Sequence, residues 1–166
     1  LSPKMFAKKS WSVLLFGFGS RSSMAALPLN ISSQEDMGVD ETTANISASF
    51  GTSIGQNGCA GIYPAMLAIM AAQVSGVEMN LTWFIVLVIV TAISSFGIAG
   101  VGGGATFAAI AVLSIMGLDI TIAAILVSIE PLIDMARTAL NISDSMLTGV
   151  VVSKVNKTLD VDKYNA

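Results

Sequence analysis

The chain has 166 residues, of which 54% are hydrophobic and 11% charged, with a net charge of −3 and a mean hydropathy of +0.77. A soluble domain carries roughly 25% charged residues, so composition argues against an ordinary soluble fold and a membrane protein is expected. One cysteine and no histidine exclude an internal disulfide and most hydrolytic or zinc chemistry, and eight scattered Lys and Arg with a pI of 4.7 argue against nucleic-acid binding.

At about 20 residues per membrane span the length supplies about five or six apolar elements, few for a complete transporter. The chain opens at Leu1 without the order of a signal peptide, and it reads as an internal piece of a longer protein. Residues 6–18 form an apolar half-span that runs into Gly19-Ser20-Arg21-Ser22-Ser23, and residues 24–31 lead away, so residues 1–31 read as a re-entrant hairpin. An acidic polar loop over 32–43 follows. Residues 44–75 read as one span broken at Gly55-Gln56-Asn57-Gly58 and resumed at 59–74, with Pro64 near its restart.

The second half repeats the plan over residues 81–117: a half-span at 81–93, a glycine-rich tip at 94–105 and a returning half at 106–116. Residues 120–153 make a last span, kinked or adjusted at Pro131, and 154–166 a polar tail. The expected fold is therefore an all-α integral membrane protein of two re-entrant hairpins, a broken helix and a polar last helix. That layout suits an inverted repeat with a binding site at the bilayer midplane, although the repeat is one of hydropathy only. Lys4, Lys8 and Lys9 at one end and Lys154, Lys157 and Lys163 at the other place both ends, and the tail, in the cytoplasm.

Irregular backbone at membrane depth must be buried in protein or line a watery cavity. The tip Ser20-Arg21-Ser22-Ser23 precedes a half-helix whose free N–H groups suit a carboxylate, or else it is a serine-rich cap. Residues 97–104 lack the Gly-Lys-Ser/Thr ending of a phosphate loop, so they read as a flexible gate or as glycine-mediated helix packing. The sharpest signal is Asp134 with Arg137, Thr138 and Asn141, whose spacing puts them on one helical face inside a span. A carboxylate, a guanidinium and an amide on one face match the charges of an amino acid: Asp134 for the ammonium, Arg137 for a carboxylate and Asn141 for either. An internal Asp134–Arg137 pair is the structural alternative. Glu130, before Pro131, stays unassigned, and a water-facing position explains it as well.

SRSSMAALP, FGTSIGQNGCAG, GIAGVGGGATFAAI and IDMARTALN, in this order, resemble the dicarboxylate/amino acid:cation symporters, which include glutamate transporters and bacterial L-cystine symporters. The resemblance covers nearly the whole chain and implies the C-terminal transport-domain core of a multi-pass cell-membrane carrier. It further implies an N-terminal scaffold outside this chain, a homotrimer in the full-length protein, and no cofactor. Ser22, Ser23, Cys59, Asp134, Arg137, Thr138 and Asn141 match substrate contacts, and Ala99, Gly100, Val101, Gly102 and Gly103 match the gate. Gly51, Ser53, Gly55, Asn57, Asn141 and Ser145 match sodium-site positions. Two of the family's sodium ligands are altered here, because its Asn-Met-Asp-Gly-Thr signature reads Gly55-Gln56-Asn57-Gly58-Cys59. A carboxylate expected at Ser145 falls one residue earlier, at Asp144, about 100° round the helix.

The coupling ion is therefore Na+ or H+, and no enzyme activity is expected. The changed signature favours the cystine branch, with elevator-type movement of this domain. Glutamate, aspartate or a C4-dicarboxylate is the rival substrate, and a non-transporting membrane binding subunit or an ion channel is the rival class.

Overall fold

A computed structural model describes residues 1–166, and every regular element in it is helical. Helix α1 (Pro3–Ser20) starts on a proline, whose missing N–H is harmless in a first turn, and stops where Arg21 turns left-handed at φ 53° and returns its N–H to the Gly17 carbonyl. Helix α2 (Leu27–Asp36) and helix α3 (Glu41–Ser53) follow, and the acidic loop expected over 32–43 is mostly helix. The reason lies in side chains: Asn30, Ser33 and Gln34 are buried, which carries α2 beyond residue 31, and Asp40 caps α3 by accepting from the Thr43 N–H at 3.0 Å. A π-helical turn (Asn57–Ile62) leads without interruption into α4 (Tyr63–Val74).

Helices α5 (Leu81–Ser95) and α6 (Gly104–Ile115) flank the glycine tip, and Gly103 at φ +86° supplies a turn that a side chain would strain. The expected single last span is divided into α7 (Thr121–Leu126) and α8 (Glu130–Val155), and the break falls at residues 127–129 rather than at Pro131. Pro131 sits in the first turn of α8, where no hydrogen bond is lost, so it starts this helix instead of kinking it. The tail is more than a polar extension. Helix α9 (Val161–Asn165) folds back, with Tyr164 buried and its hydroxyl donating to the Ser2 carbonyl at 3.1 Å. Lys9 reaches the Lys163 carbonyl at 2.5 Å, so both lysine-bearing ends lie together.

Two cores hold the chain. Val13, Ala26, Met37, Ala44, Ile142, Met146, Val150 and Tyr164 join α1, α2, α3 and α8 to the tail, while Tyr63, Leu67, Leu87, Ala109, Val112 and Leu113 join α4, α5 and α6. The polarity is inverted relative to a soluble protein. Gln34, Asn30, Glu130, Asp134 and Asn141 are buried, whereas Trp11, Phe50, Val88, Ile93, Phe107 and Leu132 are exposed. The stretch Glu41–Val74 is long and apolar enough to cross a membrane; Leu81–Ser95 and Gly104–Ile115 are apolar but shorter.

A ladder of buried side chains ties α2, α3 and α8: Ser47 donates to Gln34, Gln34 to Asn30 and Asn30 to Ser145, each at 2.8 Å. Gly149 lies against it, where a methyl group would collide with the Gln34 Oε1 atom. Gly149→Ala is expected to cost about 1–3 kcal/mol through overpacking. Gly61→Ala, with open space at its Cβ, is expected to cost little. Thermal unfolding of the detergent-solubilised full-length protein checks the pair.

Asp40 also accepts from Thr158 at 2.7 Å and Ser153 at 3.0 Å, clamping the tail. The Thr158 hydroxyl first, and then the Thr43 N–H, hold its carboxyl well below the usual carboxylate range. A depressed acid stabilises above its unfolded pKa of about 3.9 and loses that contribution as pH falls through the lower folded value. Hydrogen-exchange protection of residues 156–166, corrected for intrinsic rates, is expected to persist at neutral pH and to fall in strong acid. Asp40→Asn, which keeps the cap but not the charge, is expected to lose protection at neutral pH.

Candidate functional site

The site grows from the break between α3 and the π-helical turn. An interrupted helix frees backbone groups that need partners. Here the Gly58 N–H donates to Asn141 Oδ1 at 2.7 Å, the Gly51 carbonyl accepts from Gln56 Nε2 at 2.6 Å, and the Thr52 carbonyl accepts from the Gly100 N–H at 3.0 Å. The Asn141 amide also donates to Gln56 Oε1 at 2.9 Å and to Cys59 Sγ at 3.2 Å. Asn141 of α8 thus ties the break to the π-helical turn, and Gln56 carries the link on to α3.

The two tips meet at the same place. The Gly100 carbonyl accepts from the Met24 N–H at 3.0 Å and from the Ser22 hydroxyl at 3.3 Å, and Ser23 lies 3.5 Å from Gln56. Gly100 is fixed by closeness: a Cβ there would stand 2.9 Å from both Ser23 Cβ and the Thr52 carbonyl. Ser22 also accepts from the Ala25 N–H at 3.1 Å, which closes a turn ahead of α2, whereas the helix itself starts after Ala26 with no side-chain cap.

One turn along α8, Arg137 Nη2 donates to Glu130 Oε1 at 2.5 Å and to Asp134 Oδ1 at 3.3 Å, and its guanidinium carbon stands 4.1 Å from the centre of the Tyr63 ring. The internal Asp134–Arg137 pair therefore forms, and Glu130, left unassigned by sequence, is 4% exposed and belongs to it rather than to water. Cys59 Sγ lies 3.5 Å from the same Asp134 oxygen. Asp134 Oδ2, Arg137 Nε, Arg137 Nη1 and the Tyr63 hydroxyl are buried with no partner. Buried charges left incompletely paired are costly, so this cluster weakens the fold unless another molecule completes it.

The remaining predicted residues divide. Thr138 is on the shared face and buried, with its methyl turned to Gly17 of α1. At the glycine tip, Ala99, Val101 and Gly102 are exposed and Gly103 is half-buried, while Gly100 alone reaches the other tip. Gly51, Gly55, Asn57 and Ser145 line one cavity of about 260 Å³ with Asp144, whose carboxylate accepts from Asn57 Nδ2 at 2.9 Å. Ser53 points away, bonded to the Ser49 carbonyl, and Asn141 serves the Gly58 side, so these two do not line that cavity. Sequence reasoning missed the roles of Glu130, Gln56 and Tyr63. Glu130 is signalled by its spacing of four residues from Asp134 and seven from Arg137, whereas nothing in the sequence marks Tyr63.

Exposed apolar helices around a buried charged centre, with backbone breaks stitched by side chains, define a membrane protein with an internal polar site. The chain belongs to the Sodium:dicarboxylate symporter family, whose sequence model matches residues 1–155. It is 57% identical over 166 residues to the L-cystine uptake protein TcyP of Shouchella clausii (strain KSM-K16). It is likewise 56% identical over 165 residues to the protein of that name from Bacillus licheniformis (strain ATCC 14580) and 59% identical over 167 residues to that from Bacillus thuringiensis (strain Al Hakam). Each alignment covers 99% of this chain and 36% of the relative's length. These are names of transport proteins, not of enzymes.

Replacing Asn141 by Ala removes the acceptor of the buried Gly58 N–H and leaves Gln56 Oε1 only its long contact from Ser23. A loss of about 1–3 kcal/mol per orphaned group is expected. A lowered unfolding temperature of the full-length protein, set against an Ala substitution at half-buried Ser143, checks this.

Proposed function

We propose that this chain is the substrate-carrying part of a secondary transporter that moves an amino acid, L-cystine in particular, across the cell membrane with a cation. The observation that carries this reading is the buried Glu130–Asp134–Arg137 cluster with its unpaired polar atoms, set beside two meeting tips. The relatives' names supply the solute. Asp134 Oδ2 takes an ammonium group, and the free N–H groups at Arg137 Nε and Nη1 take a carboxylate. Ser22 and Ser23, with backbone at the first tip, receive a second carboxylate when Ser22 exchanges its Gly100 partner for the ligand. Thr138, Asn141 and Cys59 complete the walls. The glycine tip from Ala99 to Gly103 opens by breaking its bonds to Met24, Ser22 and Thr52, which involve only Gly100.

Asp144 and Asn57, with Gly51, Gly55 and Ser145 around them, are the oxygen-bearing groups for a coupling Na+ in the cavity of about 260 Å³, and Asp144 is equally placed to carry a proton. The two tips are read as re-entrant hairpins related by an inverted repeat. The clamped, lysine-rich ends support a cytoplasmic C-terminus. Transport then proceeds by elevator movement against a scaffold elsewhere in a longer, trimeric protein. Glutamate, aspartate or a C4-dicarboxylate is the second reading, favoured by the family's name.

The test is uptake of radiolabelled L-cystine into proteoliposomes by the full-length carrier, with Na+ and H+ gradients imposed separately. One gradient is expected to concentrate cystine. Arg137→Ala, which strands two buried carboxylates at about 3–5 kcal/mol, is expected to lower uptake by about 100-fold or more. Robust aspartate or succinate uptake without cystine uptake would move the assignment to the dicarboxylate reading.

A further inference from the structure

Glu130 is the buried charge of the cluster to which the reading above gives no ligand group. It is 4% exposed, it stands in the first turn of α8, and it makes the shortest bond to Arg137, at 2.5 Å. Glu130 and Asp134 between them present two carboxylates to one guanidinium, and neither forms an ion pair with any other cation of the chain. The groups facing them are Tyr63 and Cys59, which bring no positive charge. The centre is thus one ammonium group short of balance while Arg137 serves both acids, and two short when a ligand carboxylate engages Arg137.

We propose that Glu130 binds a second ammonium group, so that Glu130 and Asp134 together select a solute with two α-amino acid heads joined by a disulfide. This rests on the cystine-transport reading above and adds the residue that sets its specificity. Two geometric facts agree. Residues four apart on a helix are displaced by about 6 Å along its axis. The α-carbons across a disulfide lie about 4.4–6.8 Å apart, so the two heads of a folded disulfide amino acid match one turn of α8. Arg137, already between the two carboxylates, then meets a ligand carboxylate with Nε or Nη1, the atoms left unpaired.

The selection follows from counting charges. A disulfide amino acid with two heads carries two ammonium and two carboxylate groups, which leaves neither Glu130 nor Asp134 unpaired. Glutamate carries one ammonium group, so its side-chain carboxylate at Arg137 would face Glu130 with nothing between them but the shared guanidinium. A dicarboxylate brings no ammonium group and leaves both acids bare. A buried, uncompensated carboxylate is costly, so discrimination comes as much from rejecting the wrong ligands as from holding the right one.

The alternative is that Glu130 only positions Arg137, and a ligand pair separates the two. Inhibition of radiolabelled cystine uptake by the full-length carrier is measured with L-cystine and with the mixed disulfide of L-cysteine and 3-sulfanylpropanoate, which lacks only the second ammonium group. In the unaltered carrier the mixed disulfide is expected to bind about 10- to 100-fold more weakly, the range of one charge-assisted hydrogen bond. Glu130→Gln is expected to weaken L-cystine by a similar factor while leaving the mixed disulfide nearly unchanged, so the preference disappears. Ligand-induced thermal stabilisation of the purified variants gives the same comparison if Glu130→Gln transports too slowly to assay, and Glu130→Asp is expected to retain part of the preference. Equal weakening of both ligands, or an undiminished preference in Glu130→Gln, overturns the assignment of Glu130 and leaves cystine transport standing. Failure of the unaltered carrier to take up cystine overturns both.

Discussion

The structure depends on how it pairs the backbone released where the helix running from Glu41 to Val74 is interrupted. Inside a membrane no water is at hand, and each free N–H or C=O costs several kcal/mol. Asn141 answers the Gly58 N–H, Gln56 answers the Gly51 carbonyl, and the glycine tip answers Thr52. Because these partners come from α8, from the break itself and from the second tip, the interruption cannot exist without the elements around it. It therefore sets the position of α8, and with it the height of Asp134 and Arg137.

Around this centre the chain is built with its polar groups inward. The ladder from Ser47 through Gln34 and Asn30 to Ser145 holds the first half, and small residues such as Gly51 and Gly149 let α3 and α2 come close to α8. The second half is different in kind: α4, α5 and α6 meet through aliphatic side chains, with Thr91 the lone buried hydroxyl of α5 and without a partner. In the proposed transport cycle the second tip, held to the first through Gly100, is the part read as opening, since no such ladder ties α4, α5 and α6. The tail acts at the other end, where Asp40 and Tyr164 fasten it to α3 and α1.

The charge cluster and the Asp144 cavity lie about two turns apart on α8, with Asn141 on the turn between them. That amide bonds to the break on one side, while Asn57, inside the same π-helical turn, bonds to Asp144 on the other. A ligand that moves Asn141 or Cys59 must disturb the turn that carries Asn57. In the proposed transport reading, this short piece of backbone is the element shared by the solute site and the ion site.

Hydropathy and spacing determined a good deal: the all-helical class, the presence of a break, which falls at residues 54–56 rather than 55–58, the glycine tip, and the shared face of Asp134, Arg137, Thr138 and Asn141 are each readable from the chain because local backbone and helical periodicity produce them. The rest needed distant partners. Whether residues 32–36 are loop or helix turned on Ser47 and Ser145 being there to meet Gln34 and Asn30, and the fate of Pro131 turned on α8 beginning beside it rather than running through it. Glu130 could face water or a guanidinium with equal local logic; only the packing of α8 against Tyr63 and the π-helical turn buried it beside Arg137. Tertiary structure decided these points because a charge's partner is a property of three-dimensional neighbourhood, which periodicity along one helix does not specify.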